Sequence, residues 1–83
     1  LSSFNSKLDI RGKRLDDAEK MLYEFLDTAY SLGQKDLAIV HGKGEGALRK
    51  ATKVILKSLP YINSWKYEHA DRGGEGVTHV ELK

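Results

Sequence analysis

The sequence predicts an α/β fold, a two-layer βαβαββ sandwich in which two helices pack on one mixed four-stranded sheet. Short segments of alternating polar and apolar residues predict strands, and two longer segments with apolar residues at every third or fourth position predict helices. Glycine or proline separates most of these segments, as expected for turns. Because strands and helices alternate over the first part of the chain, right-handed crossovers are expected there.

The chain opens with a polar segment, residues 1–7, which we interpret as a linker remnant in front of a domain over residues 8–83. Polar and apolar residues alternate over residues 7–11, with Leu8 and Ile10 on one face. That alternation predicts a short, half-buried strand.

A helical period follows over residues 16–32. Asp16 precedes Glu19 by three positions, a spacing that predicts an N-terminal capping box with Asp in place of Ser. Gly33 is a natural helix terminator. The apolar positions that predict the buried face are Ala18, Leu22, Phe25, Leu26, Ala29 and Leu32.

The middle of the chain predicts a buried strand and a second helix. Residues 36–40 are apolar on both faces, which is typical of a central strand in a covered sheet. Residues 47–58 have a helical period and end before Pro60. The residues expected to face inward are Ala47, Leu48, Ala51, Val54 and Ile55, and those expected mostly on the outer face are Arg49, Lys50, Lys53 and Lys57.

Two strands, residues 62–68 and 77–82, are expected at the end of the chain, joined by a glycine-rich turn. Trp65 and Tyr67 share one face of the first of these strands. Such a pair most often belongs to the core, and the alternative is stacking on nucleic-acid bases.

Composition narrows the classes of function. The 83 residues include no Cys, which excludes a disulfide scaffold, a thiolate zinc site and a cysteine nucleophile. No apolar run approaches the length of a membrane span, about 20 residues. The 14 Lys and Arg nearly balance the 12 Asp and Glu, but positive charge is concentrated in residues 43–57, which favours a polyanionic partner.

The strongest motif is HGKGEG, residues 41–46, between the predicted buried strand and the second helix. Glycines at alternate positions allow a ligand to approach the backbone closely, and the amides at a helix start can bind an anion. Lys43 and Arg49 add positive charge. The spacing matches neither a P-loop nor a dinucleotide fingerprint. We therefore interpret the motif as a site for the phosphates of a polymer, the alternative being a simple tight turn.

A second group of residues is expected at the same edge of the sheet. If the first two strands are parallel neighbours, their carboxyl ends meet and Arg11 lies beside His41 and Gly42. His41 is the candidate general acid or base. Asp9 shares a strand face with Arg11, and the alternative for these two is a surface ion pair.

The other two histidines support weaker predictions. His79 lies within the last strand and is expected to be structural, and His69 is expected to be solvated in a polar turn. The three histidines are too scattered in the sequence to predict a metal site. Arg72, with Gly73 and Gly74, is a candidate for a second phosphate contact.

Three motifs, LDIRG at residues 8–12, HGKGEGALRK at 41–50 and GGEGVTHVEL at 73–82, resemble those of the Smr (small MutS-related) domain. The resemblance covers nearly the whole chain. Arg11 stands where many Smr domains have His. With the ALRK run, this makes the chain most similar to the Smr domain that ends the second bacterial paralogue of the MutS mismatch-repair proteins.

The resemblance implies a nicking endonuclease domain that hydrolyses phosphodiester bonds of branched or duplex DNA, in a cytoplasmic bacterial protein that suppresses homologous recombination. From the motifs and the charges together, we assign catalysis to His41, Asp9, Arg11 and Lys43, and replacement of His41 is expected to abolish cleavage. The residues assigned to nucleic-acid binding are Gly42, Gly44, Gly46, Arg49, Lys50, Lys53, Arg72, Gly73 and Gly74.

No cofactor is firmly predicted, and no metal ligand is assigned. Asp9 would give Mg²⁺ or Mn²⁺ a single protein ligand, and waters and a substrate phosphate would have to complete the coordination. A metal-independent route therefore stays open. Arg11 in place of His puts a two-histidine mechanism in doubt. The alternative function is a non-catalytic module that binds DNA or ribosomal RNA and acts in ribosome rescue. The isolated domain is expected to be a monomer and its parent a dimer, without membrane contact.

Overall fold

A computed structural model describes residues 4–72 and 74–83. Six main elements follow the predicted order: β1 (Lys7–Asp9), α1 (Leu15–Ser31), β2 (Asp36–Val40), α2 (Ala47–Ser58), β3 (Ile62–Tyr67) and β4 (Val77–Leu82). Two short 3₁₀ turns, Ala70–Arg72 and Gly74–Gly76, connect β3 to β4. Within the described residues, neither helix is long and apolar enough to cross a membrane.

The four strands form one mixed sheet in the order β1-β2-β4-β3. β1 is parallel to β2, with Leu8 opposite Ile39, whereas β4 is antiparallel to both β2 and β3. The two helical connections cross the sheet in the same direction, so right-handed crossovers place α1 and α2 on the same face. The helices contact each other there. The predicted two-layer βαβαββ sandwich is confirmed.

The hydrophobic core lies between the helices and the sheet. Leu22 and Leu26 of α1 belong to the same buried cluster as Ile39 of β2 and Val80 of β4. Trp65 of β3 lies opposite Val80 and packs against this cluster. The core interpretation of Trp65 is therefore the one that the structure supports.

Helix α1 begins one residue earlier than predicted, and the predicted capping box is wrong. Arg14 is the N-cap residue, in extended backbone, and no side chain caps the helix. Asp16 therefore lies inside the first turn and Glu19 lies beyond that turn. The negative charge of Asp16 still interacts favourably with the positive end of the helix dipole. Gly33 ends the helix in the left-handed conformation, as predicted. Leu32 is 59 % exposed rather than buried, because the chain leaves the core here.

The buried face of α2 is rotated from the prediction. The residues that it buries are Thr52, Ile55 and Leu56. Val54 is 66 % exposed and Ala47 is also exposed, although both were expected to face inward. Thr52 can occupy a core position because its hydroxyl donates to the carbonyl of Leu48 at 2.8 Å, which satisfies the polar group within the helix.

The segment in front of β1, expected to be part of a linker, packs on the domain. The ring of Phe4 stacks on that of Phe25 with centroids 5.4 Å apart. The backbone N–H of Ala38 donates to the carbonyl of Ser6 at 2.9 Å. The packed unit therefore includes Phe4, while residues 1–3 lie outside the described part of the chain.

Candidate functional site

The carboxyl ends of β1 and β2 lie side by side and bring two of the predicted motifs together. The N–H of Ile10 donates to the carbonyl of Val40 at 2.8 Å, so the residues that follow each strand are neighbours. A Cβ atom built on Gly42 would lie 3.3 Å from Cγ of Arg11. The side chain of Arg11 thus lies against this glycine, and the juxtaposition expected from parallel pairing is confirmed.

Asp9 and Arg11 form a bidentate ion pair at this edge. Nη2 of Arg11 donates to Oδ2 of Asp9 at 2.6 Å, and Nε donates to Oδ1 at 3.0 Å. The backbone N–H of Arg11 donates to Oδ1 as well. The hydrogen bonds from the Arg11 side chain, followed by the one from its backbone, lower the pKa of Asp9 from 3.8 to about 2. Both side chains are largely exposed, so the pair is presented to solvent.

We expect the carboxyl of Asp9 to titrate near pH 2, and an Arg11→Gln variant to move this midpoint upward towards 3.8, while the backbone hydrogen bond of residue 11 remains. Because the pKa is lowered in the folded state, the stabilisation from this pair is complete above about pH 3.8 and is lost as the pH falls towards 2. A carbon-detected NMR titration of the Asp9 carboxyl measures both values. An ordinary midpoint in the unsubstituted domain would contradict the bidentate pair.

The glycine loop, residues 41–46, and the 3₁₀ turn at residues 74–76 are joined through their backbones. The N–H groups of His41 and Gly42 both donate to the carbonyl of Gly76, at 3.0 and 2.9 Å. The second and third sequence motifs therefore form one surface, although they are far apart along the chain.

Lys43 extends from the glycine loop across this turn. A Cβ atom on Gly74 would lie 3.6 Å from Nζ of Lys43, and one on Gly76 would lie 3.4 Å from its Cγ. The lysine side chain therefore lies within van der Waals distance of both glycine positions. Lys43 is exposed, and within residues 4–72 and 74–83 it makes no ion pair. Its ammonium group is therefore available to an anionic ligand.

Arg49 lies over the N-terminus of α2. Gly46 is the N-cap residue, with a φ of 85°, and its missing side chain leaves space for the guanidinium, whose Nη2 lies 3.0 Å from the would-be Cβ. Nη1 of Arg49 lies 3.4 Å from Oε1 of Glu75. No acidic residue lies in the first turn of α2 and no side chain caps it. The helix amides and Arg49 therefore both make this end positive.

His41 differs from the other candidates because it is buried, with only 5 % exposed. Its Nδ1 lies 3.1 Å from the carbonyl of Gly42, and its Nε2 lies 2.7 Å from Oγ1 of Thr78. Because a carbonyl only accepts, we assign the proton to Nδ1, and the Thr78 hydroxyl then donates to Nε2. Burial lowers the pKa of His41, so the ring is neutral at neutral pH. Proton transfer by His41 would require one of these hydrogen bonds to break.

Two of the other residues predicted to bind nucleic acid extend the positive surface. Lys50 and Lys53 are exposed on α2, beyond the end that carries Arg49. Arg72 is exposed in the first 3₁₀ turn, but it lines a groove with Lys7 and His79 rather than the groove of the glycine loop. The prediction for Gly73 falls outside the described residues.

Thr78 was not predicted as a partner of His41, and no sequence signal identifies it. A threonine within a strand is typical of a pleated surface, and the contact joins residues 37 positions apart. His79 bonds to Oε2 of Glu68 at 2.7 Å on the sheet face opposite the helices, consistent with the structural role expected for it.

The donor set at the edge does not fit a divalent cation held by the protein. Asp9 is the only carboxylate assigned to the site, and the side chain of Arg11 bonds to both of its oxygens. In the described part of the chain, no three side chains of His, Cys, Asp or Glu come together as metal ligands. We derive no step through Mg²⁺ or Mn²⁺.

The βαβαββ fold brings the three motifs that resemble those of the Smr domain to one edge of the sheet. The Smr domain family model matches residues 8–83, and the chain belongs to this family. The resemblance noted from the three motifs is confirmed.

Its relatives include a protein named Endonuclease MutS2 from Halothermothrix orenii, 42% identical over 82 residues, which cover 99% of this chain and 10% of that protein. Endonuclease MutS2 of Carboxydothermus hydrogenoformans is 40% identical over 81 residues, 98% of this chain and 10% of that protein. The chain thus spans about a tenth of the length of these relatives.

The Smr domain of Thermus thermophilus MutS2 has a crystal structure that superposes with a TM-score of 0.89 at 34% identity, covering 95% of this chain and 99% of that one. The stand-alone small MutS-related protein YdaL from Escherichia coli has the same fold, with a TM-score of 0.88 at 21% identity, covering 94% of this chain and 64% of that one.

Proposed function

We propose that this domain is a nicking endonuclease module that hydrolyses phosphodiester bonds of DNA, including branched DNA, within a longer bacterial cytoplasmic protein that suppresses homologous recombination. The observation that carries the proposal is the convergence of three cations on glycines at one edge: Arg11 on Gly42, Lys43 on Gly74 and Gly76, and Arg49 on Gly46. The relatives named Endonuclease MutS2 support the class of reaction.

The exposed cations supply the chemistry that this reaction needs. Attack on a phosphodiester increases negative charge on the phosphoryl oxygens, and preorganised donors at that position lower the barrier. Lys43 and Arg11 present such donors from adjacent loops, with Asp9 fixing the orientation of Arg11.

His41 enters the proposal in two capacities. Its hydrogen bond to Thr78 of β4 holds the glycine loop on the sheet. It also remains the candidate acid or base, provided that substrate binding releases Nε2 from the Thr78 hydroxyl. Replacement by Ala removes both contributions, whereas Thr78→Val removes only the bond to the hydroxyl.

The test is nicking of supercoiled plasmid by the purified domain with Mg²⁺, Mn²⁺ or EDTA, next to the His41→Ala and Thr78→Val variants. We expect the unsubstituted domain to nick and His41→Ala to be inactive while still binding DNA. Activity in EDTA would establish the metal-independent route. An absence of nicking by the unsubstituted domain in all three conditions would overturn the proposal.

A specific observation also favours the second candidate, a non-catalytic module that binds DNA or ribosomal RNA and acts in ribosome rescue. Both ring nitrogens of His41 and both oxygens of Asp9 are already hydrogen-bonded. Phosphate binding by Lys43, Arg49 and the loop amides needs no free acid or base. In this case the same surface binds the polymer without turnover.

Either function predicts that the basic face of α2 contributes phosphate contacts. Replacing Lys50 and Lys53 together by Ala should reduce the slope of log K against log salt by about 1.8 on duplex DNA, or about 1.4 on a single strand. Titrations of labelled DNA between low and moderate salt measure this slope. Lys7 and Lys66, on the sheet face away from the helices, provide a control pair with the same loss of charge. An equal loss of slope in both double variants would contradict a footprint on α2.

A further inference from the structure

The carboxylate of Glu75 places a negative charge beside the positive N-terminus of α2. It lies between Gly74 and Gly76, which pack on Lys43, and its Oε1 is 3.4 Å from Nη1 of Arg49. Within the described residues, this is the one ion pair that Arg49 makes. Arg49 belongs to α2 and Glu75 to the second 3₁₀ turn, so their contact depends on the docking of this turn on the glycine loop.

This ion pair is suited to exchange. The side chain of Glu75 is 64% exposed, whereas that of Arg49 is only 28% exposed and is fixed against Gly46. An exposed pair with a single long contact contributes little to stability. Since a guanidinium has five N–H donors, Arg49 can also turn toward another acceptor. The cation is thus held in place while its anion is loosely held.

The space beside the pair has room for another anion. A groove of about 470 Å³ is open to solvent here, and its lining includes two cations, Lys43 and Arg49, and two carboxylates, Glu68 and Glu75. The Glu68 carboxylate bonds to His79, so Glu75 is the carboxylate that pairs with Arg49 in this groove. A phosphate group entering it would meet Arg49 where Glu75 now lies.

We propose that Glu75 is a specificity-determining residue. In the free domain its carboxylate occupies the position on Arg49 that a substrate phosphate takes, and the phosphate displaces it on binding. The inference rests on the proposed function, because it concerns the surface assigned to nucleic acid. It adds the prediction that this acidic residue, which lies within one of the glycine motifs, weakens binding. Only a group that competes with a carboxylate for a guanidinium is retained at this position.

The experiment measures the affinity of a Glu75→Gln variant for two probes. One is inorganic phosphate, followed by the NMR signal of the Arg49 side-chain N–H, and the other is a fluorescein-labelled DNA duplex. We expect Glu75→Gln to bind both about five-fold more tightly, the upper range for loss of one exposed ion pair. Asp71→Asn, an equal change of charge in the neighbouring 3₁₀ turn, should have a much smaller effect because Asp71 makes no ion pair with Arg49 within the described residues.

The Arg49→Gln background decides whether the effect passes through the ion pair. Adding Glu75→Gln there should give no further gain. A gain with both probes identifies the polymer backbone as the source of the phosphate, and a gain with inorganic phosphate alone identifies a free or terminal phosphate. Equal effects of Glu75→Gln and Asp71→Asn, or a full gain without Arg49, would overturn the proposal. The phosphate measurement decides this even if the domain nicks no plasmid.

Discussion

A Lys43→Met variant should nick supercoiled plasmid at least about 100-fold more slowly than the unsubstituted domain, the loss expected when one preorganised donor is removed from a developing oxyanion. Lys43 lies along Gly74 and Gly76 and makes no ion pair within the described residues. Its charge is therefore not already neutralised by the protein. Single-turnover nicking at saturating domain concentration isolates the chemical step from binding.

The matched control for this variant is Lys57→Met. Lys57 lies in the last turn of α2, at the opposite end from the glycine loop, so the same loss of charge falls away from the candidate site. We expect Lys57→Met to change the nicking rate less than about two-fold, since exposed charges further apart than the Debye length are screened. If both variants lose activity equally, Lys43 acts only through net charge. If Lys43→Met weakens binding but the bound complex nicks at an unchanged rate, the residue is a binding residue.

Replacing Leu26 by Ala should lower the free energy of unfolding by about 3 kcal/mol, within the range for truncating a buried leucine. Leu26 is fully buried in the cluster between α1 and the sheet. In a domain of this size, such a loss corresponds to a fall in Tm of roughly 10–25 °C. Urea unfolding followed by circular dichroism gives the free energy directly.

The residue that follows α1, Leu32, offers a matched control outside the core. Leu32 follows α1 and is 59 % exposed, although its spacing predicts a core position. Leu32→Ala should change the free energy of unfolding by less than about 0.5 kcal/mol, as is usual for surface substitutions. Comparable losses at the two positions would mean that Leu32 is buried in solution and that the observed end of the core is wrong.

Periodicity was sufficient to predict the element order because each helix and strand buries one face. Periodicity did not predict which residues of α2 face the core. Thr52 satisfies its hydroxyl within the helix and enters the core, which leaves Val54 exposed. Polarity alone cannot reveal such an internal hydrogen bond. The capping box was wrong for a different reason: the helix begins at Leu15, so Asp16 lies within the helix and cannot be its N-cap residue.

The positions of the site residues could be predicted where strand pairing determines them. The contacts of their side chains could not be predicted. Parallel pairing of β1 with β2 was enough to place Arg11 beside Gly42. The burial of His41 could not be foreseen, because it depends on a hydroxyl from β4, which is distant in the sequence. The Glu75 contact with Arg49 likewise depends on how the 3₁₀ turn docks on the loop.

The carbonyl of Gly76, which accepts from the N–H groups of both His41 and Gly42, has a consequence for how this domain can be altered. The edge is held by these main-chain hydrogen bonds together with the buried bond between His41 and Thr78, whereas its reactivity resides in side chains that project to solvent. Exchanging Arg11 or Lys43 for another residue therefore changes what the surface recognises without removing those two hydrogen bonds. The same peptide framework can accommodate different chemistries, which makes this edge a practical starting point for reprogramming substrate preference.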